Sequence, residues 1–478
     1  MQGSPRLSVL FAAPECAPLA KTGGLGDVCA ALPAALREQG VDARVLLPGY
    51  PEVLRGAPAQ MIAQVSALGF EARLLEATLP SGVPLIVLDC PPLYVRGGGP
   101  YLAPSGEDWP DNALRFGFFS RVAAQLAGAS SPLAWRPHVL HAHDWPAGLA
   151  PAYLRLAAGA RAASVFTIHN LAFQGLFDAS MRARLALPEE SFAPEGLEFH
   201  GRLSFMKGGI VYADAITTVS PTYAREIQQP EQGCGLDGLL RDRRAALTGI
   251  LNGIDTTAWN PLADRHLARN YDAASLERKA ANKAALQRRL GLTPDPEVPL
   301  LGQVARLTHQ KGADLVVEAG ERLAALGQLA ILGAGERRHE AALRALAARH
   351  AGRVAVHIGF DEPLAHLIEA GADLFLMPSR FEPCGLNQLY SQRYGTPPVA
   401  RATGGLADTI EDGQTGFLFE PQSAEALVEA VRHALAVRAQ PHAWRAVQLA
   451  GMARDASWST AARRYADLYR RLASPVPA

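Results

Sequence analysis

The chain of 478 residues carries 46 Lys and Arg against 46 Asp and Glu, with 49% hydrophobic and 19% charged residues. That length exceeds what one hydrophobic core sustains, so two domains of roughly 200 to 250 residues are expected. Balanced charge gives no electrostatic case for nucleic acid or an anionic membrane surface as partner, and no run approaches the ~18 continuous apolar residues of a membrane span. Cys16, Cys29, Cys90, Cys234 and Cys384 are scattered without C-x-x-C spacing, against both a disulfide framework and a structural zinc site. The apolar run Leu7 to Ala13 comes too early and is too short for a signal-peptide core. The expected compartment is the cytoplasm.

Leu7 to Ala13 reads as a strand, Gly26 to Gln39 as a helix and Ala43 to Pro48 as a second strand, a βαβ opening. Between the first two lies Glu15-Cys-Ala-Pro-Leu-Ala-Lys21-Thr-Gly23-Gly24-Leu-Gly26-Asp27. Glycines let a backbone approach a ligand, the N–H groups of a helix start favour an anion, and Lys21 adds a full positive charge. The spacing matches neither G-x-G-x-x-G nor the P-loop, so neither motif supports a dinucleotide or ATP site. The plain alternative is a glycine-rich turn packing a helix on a sheet.

Strand-like Met61 to Val65 and Leu85 to Asp89 precede a Gly/Pro-rich stretch, Tyr94 to Pro110, read as a long surface loop in which Tyr101 offers a stacking face to a sugar. A helix, Asp111 to Ala127, follows. Strands His138 to His141 and Ser164 to Thr167 end in His143-Asp144-Trp145 and His169-Asn170, polar clusters at one rim of a sheet. His141, His143 and His169 lack an accompanying carboxylate or cysteine pattern, and a metal is rejected. Ser204 opens a helix, Ala215 to Val219 is a short strand, and Asn252-Gly253 signals a turn. The pattern restarts near residue 249, where the hinge is placed.

The second series is regular: strands at Leu301 to Ala305, Gln328 to Leu332, Arg353 to Ile358, Leu374 to Met377 and Pro398 to Ala402 alternate with helices. Such alternation predicts a parallel sheet covered on both faces, a Rossmann-like domain in an α/β protein. Arg306 and Lys311 share one strand-to-helix loop and suit a diphosphate: a guanidinium forks onto phosphate oxygens and an ammonium acts as a point charge. Two solvated surface charges are the plain alternative. At the same expected sheet edge lie Glu382 and Cys384 on a Pro/Gly turn, and Thr403-Gly404-Gly405 on a second turn. Helices at Ser423 to Val437 and Trp458 to Leu472 close the chain, the last ending near Pro475.

Lys21-Thr-Gly-Gly-Leu-Gly-Asp-Val, His141-Ala-His-Asp-Trp, Thr167-Ile-His-Asn, Leu251-Asn-Gly-Ile-Asp, Arg306-Leu-Thr-His-Gln-Lys-Gly and Phe381-Glu-Pro-Cys-Gly-Leu stand in order over nearly the whole chain. In these six motifs the sequence resembles the bacterial glycogen synthase and plant starch synthase family. The resemblance implies the GT-B fold: two facing Rossmann-like domains with an interdomain cleft, here 1–248 on the glucan side and 249–455 on the donor side, with 456–478 a helix crossing back to the first. It implies ADP-glucose as donor, the non-reducing end of glycogen or another α-1,4-glucan as acceptor, retention at the anomeric carbon, and no metal or other cofactor.

Carried over by motif, Lys21, Gly23 and Gly24 meet the donor diphosphate from the first domain, and Arg306 and Lys311 from the second. Asp144, His169 and Asn252 surround the transferred glucose. Glu382, Cys384, Gly385 and Leu386 hold its hydroxyls beside Thr403, Gly404 and Gly405, while Tyr101, Trp145 and Asp27 face the acceptor. Phe360 matches a position where the family often stacks tyrosine on adenine. Tyr390 stands eight residues after Glu382, where many other GT-B transferases place a second glutamate for the ribose. A covalent intermediate in retaining glycosidases uses two close carboxyls. Only Glu382 is a strong candidate here, and the expected route is instead a short-lived oxocarbenium ion captured on the face ADP leaves. Another nucleotide-sugar transferase and a non-catalytic glucan-binding relative remain open at this point, as does the oligomeric state.

Overall fold

The computed structural model describes residues 6–159 and 161–474. Contacts divide the chain into two units, Met1–Gly253 with Trp458–Ala478, and Ile254–Ser457. The sequence placed these changes at 248/249 and 455/456. The expected end of the last helix near Pro475 lies outside the described residues.

The first unit holds strands β1 (Ser8–Ala12), β2 (Asp42–Pro48), β3 (Gln60–Ala67), β4 (Phe70–Thr78), β5 (Pro84–Asp89), β6 (Val139–His143), β7 (Ala163–Ile168), β8 (Leu176–Asp178), β9 (Glu198–Phe199), β10 (Arg202–Ser204), β11 (Ala215–Thr218) and β12 (Leu247–Gly249). Nine of them form one sheet ordered β12-β11-β7-β6-β1-β2-β5-β4-β3, while β8, β10 and β9 make a small antiparallel sheet. From β12 to β5 every pairing is parallel. The run Ser-Val-Leu-Phe-Ala of β1 is buried throughout, as a strand covered on both faces must be.

The edge hairpin β3–β4 is antiparallel. Strand β4 escapes a sequence reading because Phe70-Glu-Ala-Arg-Leu-Leu-Glu-Ala-Thr is rich in helix formers. Its alternating burial against β5 decides the matter instead. The turn is Leu68-Gly69, both at positive φ, the conformation a two-residue hairpin needs, without the Asn or Asp that usually signals it.

The second unit is a six-stranded parallel sheet of β13 (Leu300–Val304), β14 (Gln328–Gly333), β15 (Val354–Ile358), β16 (Leu374–Met377), β17 (Pro398–Arg401) and β18 (Phe417–Phe419), ordered β15-β14-β13-β16-β17-β18. Counted along this unit the order is 3-2-1-4-5-6, the Rossmann arrangement. One face packs Val316, Leu323, Leu346 and Val431 against the sheet, the other Leu286, Leu367 and Ile368. Both faces are therefore apolar, and polar groups are left to the strand ends.

Strand order reverses between β13 and β16 here, and between β1 and β6 in the first unit. Open α/β sheets bind ligands beyond the carboxyl ends of strands at such points. The final helix, Trp458–Ala473, buries Trp458, Ala461, Ala462, Tyr465, Ala466 and Tyr469, one stripe at helical spacing. It packs on the helix Gly24–Glu38, and its Tyr469 hydroxyl lies 2.7 Å from His141 Nδ1 within the first unit.

Candidate functional site

At the reversal point of the second unit, three strand-end loops meet. The loop after β13 brings Lys311 to Glu382, on the loop after β16, in an ion pair; Glu382 is buried and also accepts from Ser379 Oγ at 3.0 Å. The loops are tied further by Arg380, which donates its N–H to the Gln310 carbonyl (2.8 Å), forks onto Asp314 (2.6 and 2.5 Å) and reaches the His309 carbonyl (2.8 Å). The third loop follows β17. Gly405 donates its N–H to the Glu382 carbonyl at 3.0 Å. A Cβ on Gly405 would stand 2.0 Å from the Cys384 carbonyl oxygen, and one on Gly404, at φ +46°, 2.0 Å from that of Glu382. Only glycine permits this approach.

Arg306 is exposed, touches Gln310 Oε1 at 3.4 Å and forms no ion pair among the described residues. The cluster thus holds two cations paired with carboxylates, Lys311 with Glu382 and Arg380 with Asp314, and a further one, Arg306, open to an anion. Cys384 is buried, Gly385 has φ +72°, and Leu386 precedes the helix Asn387–Arg393, which Asn387 Nδ2 fastens to the Val304 carbonyl at 2.6 Å. Thr403 is buried at the start of the helix Gly404–Thr409. Phe360, after β15, is 89% exposed, an aromatic ring with both faces open to a planar ligand. Tyr390 stacks on Trp259 (centroids 3.8 Å apart, planes 11° apart), and Trp259 stacks on His366 from its other side (3.8 Å, 8°).

In the first unit the corresponding point joins the loops after β1 and β6. The helix Gly24–Glu38 begins behind Gly23 with no side-chain cap, so its first N–H groups stay open to an anion. Lys21 pairs with Asp27 at 2.8 Å, both substantially exposed. Buried Glu15 accepts from the Thr22 and Gly23 N–H groups, the latter at 3.1 Å, and burial raises its carboxyl above the usual range despite these bonds. The loop expected to expose Tyr101 is instead pinned: the Tyr101 hydroxyl donates to Glu15 Oε1 at 2.5 Å, and its ring lies against Phe116 and Trp145. Trp145 also faces Phe177 and Phe205.

Asp144 takes φ +56° and ψ −178°, a conformation a non-glycine residue holds only under constraint. Its Oδ1 accepts the His169 N–H at 2.7 Å, and burial pushes its carboxyl up to about 7. His169 Nε2 lies 2.9 Å from His143 Nδ1, and burial holds His169 down to about 3, so this pair is neutral. His141 meets Thr167 Oγ1 at 2.5 Å. Among the described residues, no group of three His, Cys, Asp or Glu side chains is placed to hold a metal. The buried Asn252 carboxamide oxygen has no hydrogen-bond partner among the described residues.

Sequence reasoning passed over Glu15 and Arg380. A carboxylate between a strand end and a glycine-rich helix start is a usable signal for the first; an arginine inside Pro378–Glu382 carries no such mark.

Residues 8–242 match the family described as starch synthase catalytic domain, and residues 289–447 match glycosyl transferases group 1. The glycogen synthase of Aromatoleum aromaticum is 59% identical over 477 residues, 97% of each chain. The chain belongs to the glycogen synthase family. Another family member, the glycogen synthase of Alkalilimnicola ehrlichii, is 55% identical over 97% of this chain and 98% of its own. Among solved structures, the catalytic domain of starch synthase IV from Arabidopsis thaliana bound to ADP and acarbose matches with a TM-score of 0.89 and 32% identity, over 99% of this chain and 100% of that one. The sucrose-phosphate synthase of Thermosynechococcus elongatus, at TM-score 0.61 and 19% identity over 98% and 99%, shares the fold. This glycogen synthase family chain accordingly has the GT-B fold, with a Rossmann-like sheet in each unit.

Proposed function

We propose that the chain transfers glucose from ADP-glucose to the non-reducing end of an α-1,4-glucan such as glycogen, with retention, releasing ADP. The observation that carries the reading is the loop cluster of the second unit, where Arg306 stands open to an anion beside the Lys311–Glu382 pair. Breaking the glucosyl–phosphate bond places positive charge on the sugar and negative charge on the diphosphate. Preorganised cations and helix N–H groups stabilise that diphosphate, and they do so without a metal. Arg306 and Lys311 take this role, with Phe360 stacking on adenine.

Glu382 orients the sugar hydroxyls rather than attacking carbon, because its carboxylate is already engaged by Lys311 and Ser379. The C1–O bond to phosphate breaks with its electrons leaving on ADP. The acceptor hydroxyl then bonds to C1 on the same face and gives its proton to a phosphate oxygen. Lys21 and the N–H groups beside Gly23 and Gly24 are assigned to the donor; Asp144, His169 and Asn252 to the sugar; Tyr101, Trp145 and Asp27 to the glucan. The reaction is placed in the cytoplasm, supported by five free cysteines and by the lack, among the described residues, of a helix long and apolar enough to cross a membrane.

The test is incorporation of radiolabelled glucose from ADP-glucose or UDP-glucose into glycogen, followed by digestion with an α-1,4-specific amylase. Label from ADP-glucose released as maltose is the expected result. Equal or better use of UDP-glucose, or label resistant to digestion, overturns the assignment.

A further inference from the structure

The helix Asn112–Ala127 carries in its first turn two buried polar side chains that the chemistry above does not use, Asn112 and Arg115. The guanidinium of Arg115 donates from Nε to the Leu93 carbonyl (2.9 Å) and from Nη1 to the Pro100 carbonyl (2.9 Å) and Asn112 Oδ1 (2.7 Å). Asn112 in turn donates from Nδ2 to the Tyr101 carbonyl at 3.0 Å. A fully buried guanidinium is a costly core residue, and burial lowers its pKa. What this pair does that apolar packing cannot is grip two successive carbonyls, those of Pro100 and Tyr101.

The grip has a direction. With its backbone fixed, the Tyr101 hydroxyl reaches Glu15 Oε1, and the other oxygen of Glu15 takes the N–H groups of Thr22 and Gly23. Those two amides immediately precede the uncapped start of the helix Gly24–Glu38. An unbroken series of hydrogen bonds therefore runs from Arg115 and Asn112 through Tyr101 and Glu15 to the glycine loop, wholly inside the first unit.

We propose that Asn112 and Arg115 are positioning residues that set the Lys21–Gly24 loop by acting through Tyr101 and Glu15. The consequence for catalysis rests on the donor role given to that loop above; the structural part does not.

Hydrogen exchange and kinetics on the full chain test it together. Tyr101→Phe removes one bond from the series, and Asn112→Ala removes two, that to the Tyr101 carbonyl and that from Arg115. Each is expected to speed exchange at Thr22 and Gly23 about tenfold, leaving the β1 amides at the wild-type rate. Each should also raise KM for ADP-glucose about five- to tenfold with a smaller change in kcat. Because both act along one path, Asn112→Ala placed on Tyr101→Phe should add less than about twofold. Unchanged exchange at residues 22 and 23, or multiplicative effects of the two substitutions, overturns the proposal. Should Arg115→Met fail to fold, these two milder variants still decide it. If the wild-type chain transfers no glucose, the donor reading falls, and the exchange data alone accept or reject the relay.

Discussion

Glu382→Gln keeps the shape of the side chain and removes its charge, leaving the Lys311 ammonium beside an amide. Breaking a buried ion pair from one side costs about 3 to 5 kcal/mol. Because the Lys311 side chain keeps 21% exposure against 6% for Glu382, water offsets part of this, and the low end, about 3 kcal/mol, applies. For a unit of this size about 1 kcal/mol shifts the melting midpoint by about 2 to 4 °C, so a fall of about 6 to 12 °C is expected. If the same interaction aligns sugar and cation only at the transition state, about 3 kcal/mol is about 150-fold in kcat, with KM for ADP-glucose altered little. The assay is initial-rate glucose incorporation into glycogen alongside a thermal melt. A kcat within threefold of wild type would show that Glu382 has no part in the reaction, and an unchanged midpoint would show that the ion pair is not coupled to folding.

Other substitutions read other features. Gly405→Ala forces a methyl against the Cys384 carbonyl, so it should lower the second unit's stability by about 2 kcal/mol or more in urea melts; a neutral outcome would mean that the two turns are not locked. Phe360→Ala removes a ring that is 89% exposed, so the melting midpoint should stay within about 1 °C while KM for ADP-glucose rises about tenfold, and Phe360→Tyr should restore it. Asp144 holds its proton in the folded chain up to about pH 7, above the unfolded value near 4, so its ionisation weakens the fold as pH rises between them. Asp144→Asn keeps the oxygen facing the His169 N–H and should flatten that slope; melts at pH 5 and pH 8 that fall equally in both proteins would contradict this.

The regular second series was legible because its strands are apolar runs of five or so residues separated by amphipathic segments of helix length, and both kinds of pattern are local. The strand Leu374–Met377 was read to its observed ends. Elements that depend on distant partners were not. Strand β4 is held by β5 and β3 against its own helix-favouring composition, and the small β8–β10–β9 sheet has strands too short for any periodicity. The helix Pro441–Ala453 was missed because it buries little beyond Val447 and Gly451, leaving a faint stripe. Residues with full charge beside glycines, Lys21, Arg306, Lys311 and Glu382, were visible as site candidates. Tyr101 was read as an exposed ring because a Gly/Pro-rich stretch says nothing of the carbonyls gripped by Asn112 and Arg115 fifteen or fewer residues later.

Both units place a buried carboxylate at the point where strand order reverses, yet the two are held by different chemistry. Glu15 is bound by backbone amides and a phenol, all neutral donors. Because none of these donors is charged, an incoming anion does not compete with Glu15 for a cation, which makes it a fixed restraint. Glu382 is bound by an ammonium and a hydroxyl. Any anion that draws on Lys311 must compete with that carboxylate, so the strength of cation binding and the freedom of Glu382 are linked. On the proposed reading, a diphosphate that engages Lys311 would loosen Glu382 toward a neighbouring sugar hydroxyl, whereas Arg306, in no ion pair among the described residues, would bind an anion without that coupling. On that reading, the pairing of one restrained and one open cation on a single loop would separate the two demands of glucosyl transfer: holding the leaving group, and orienting the sugar only when that group is in place.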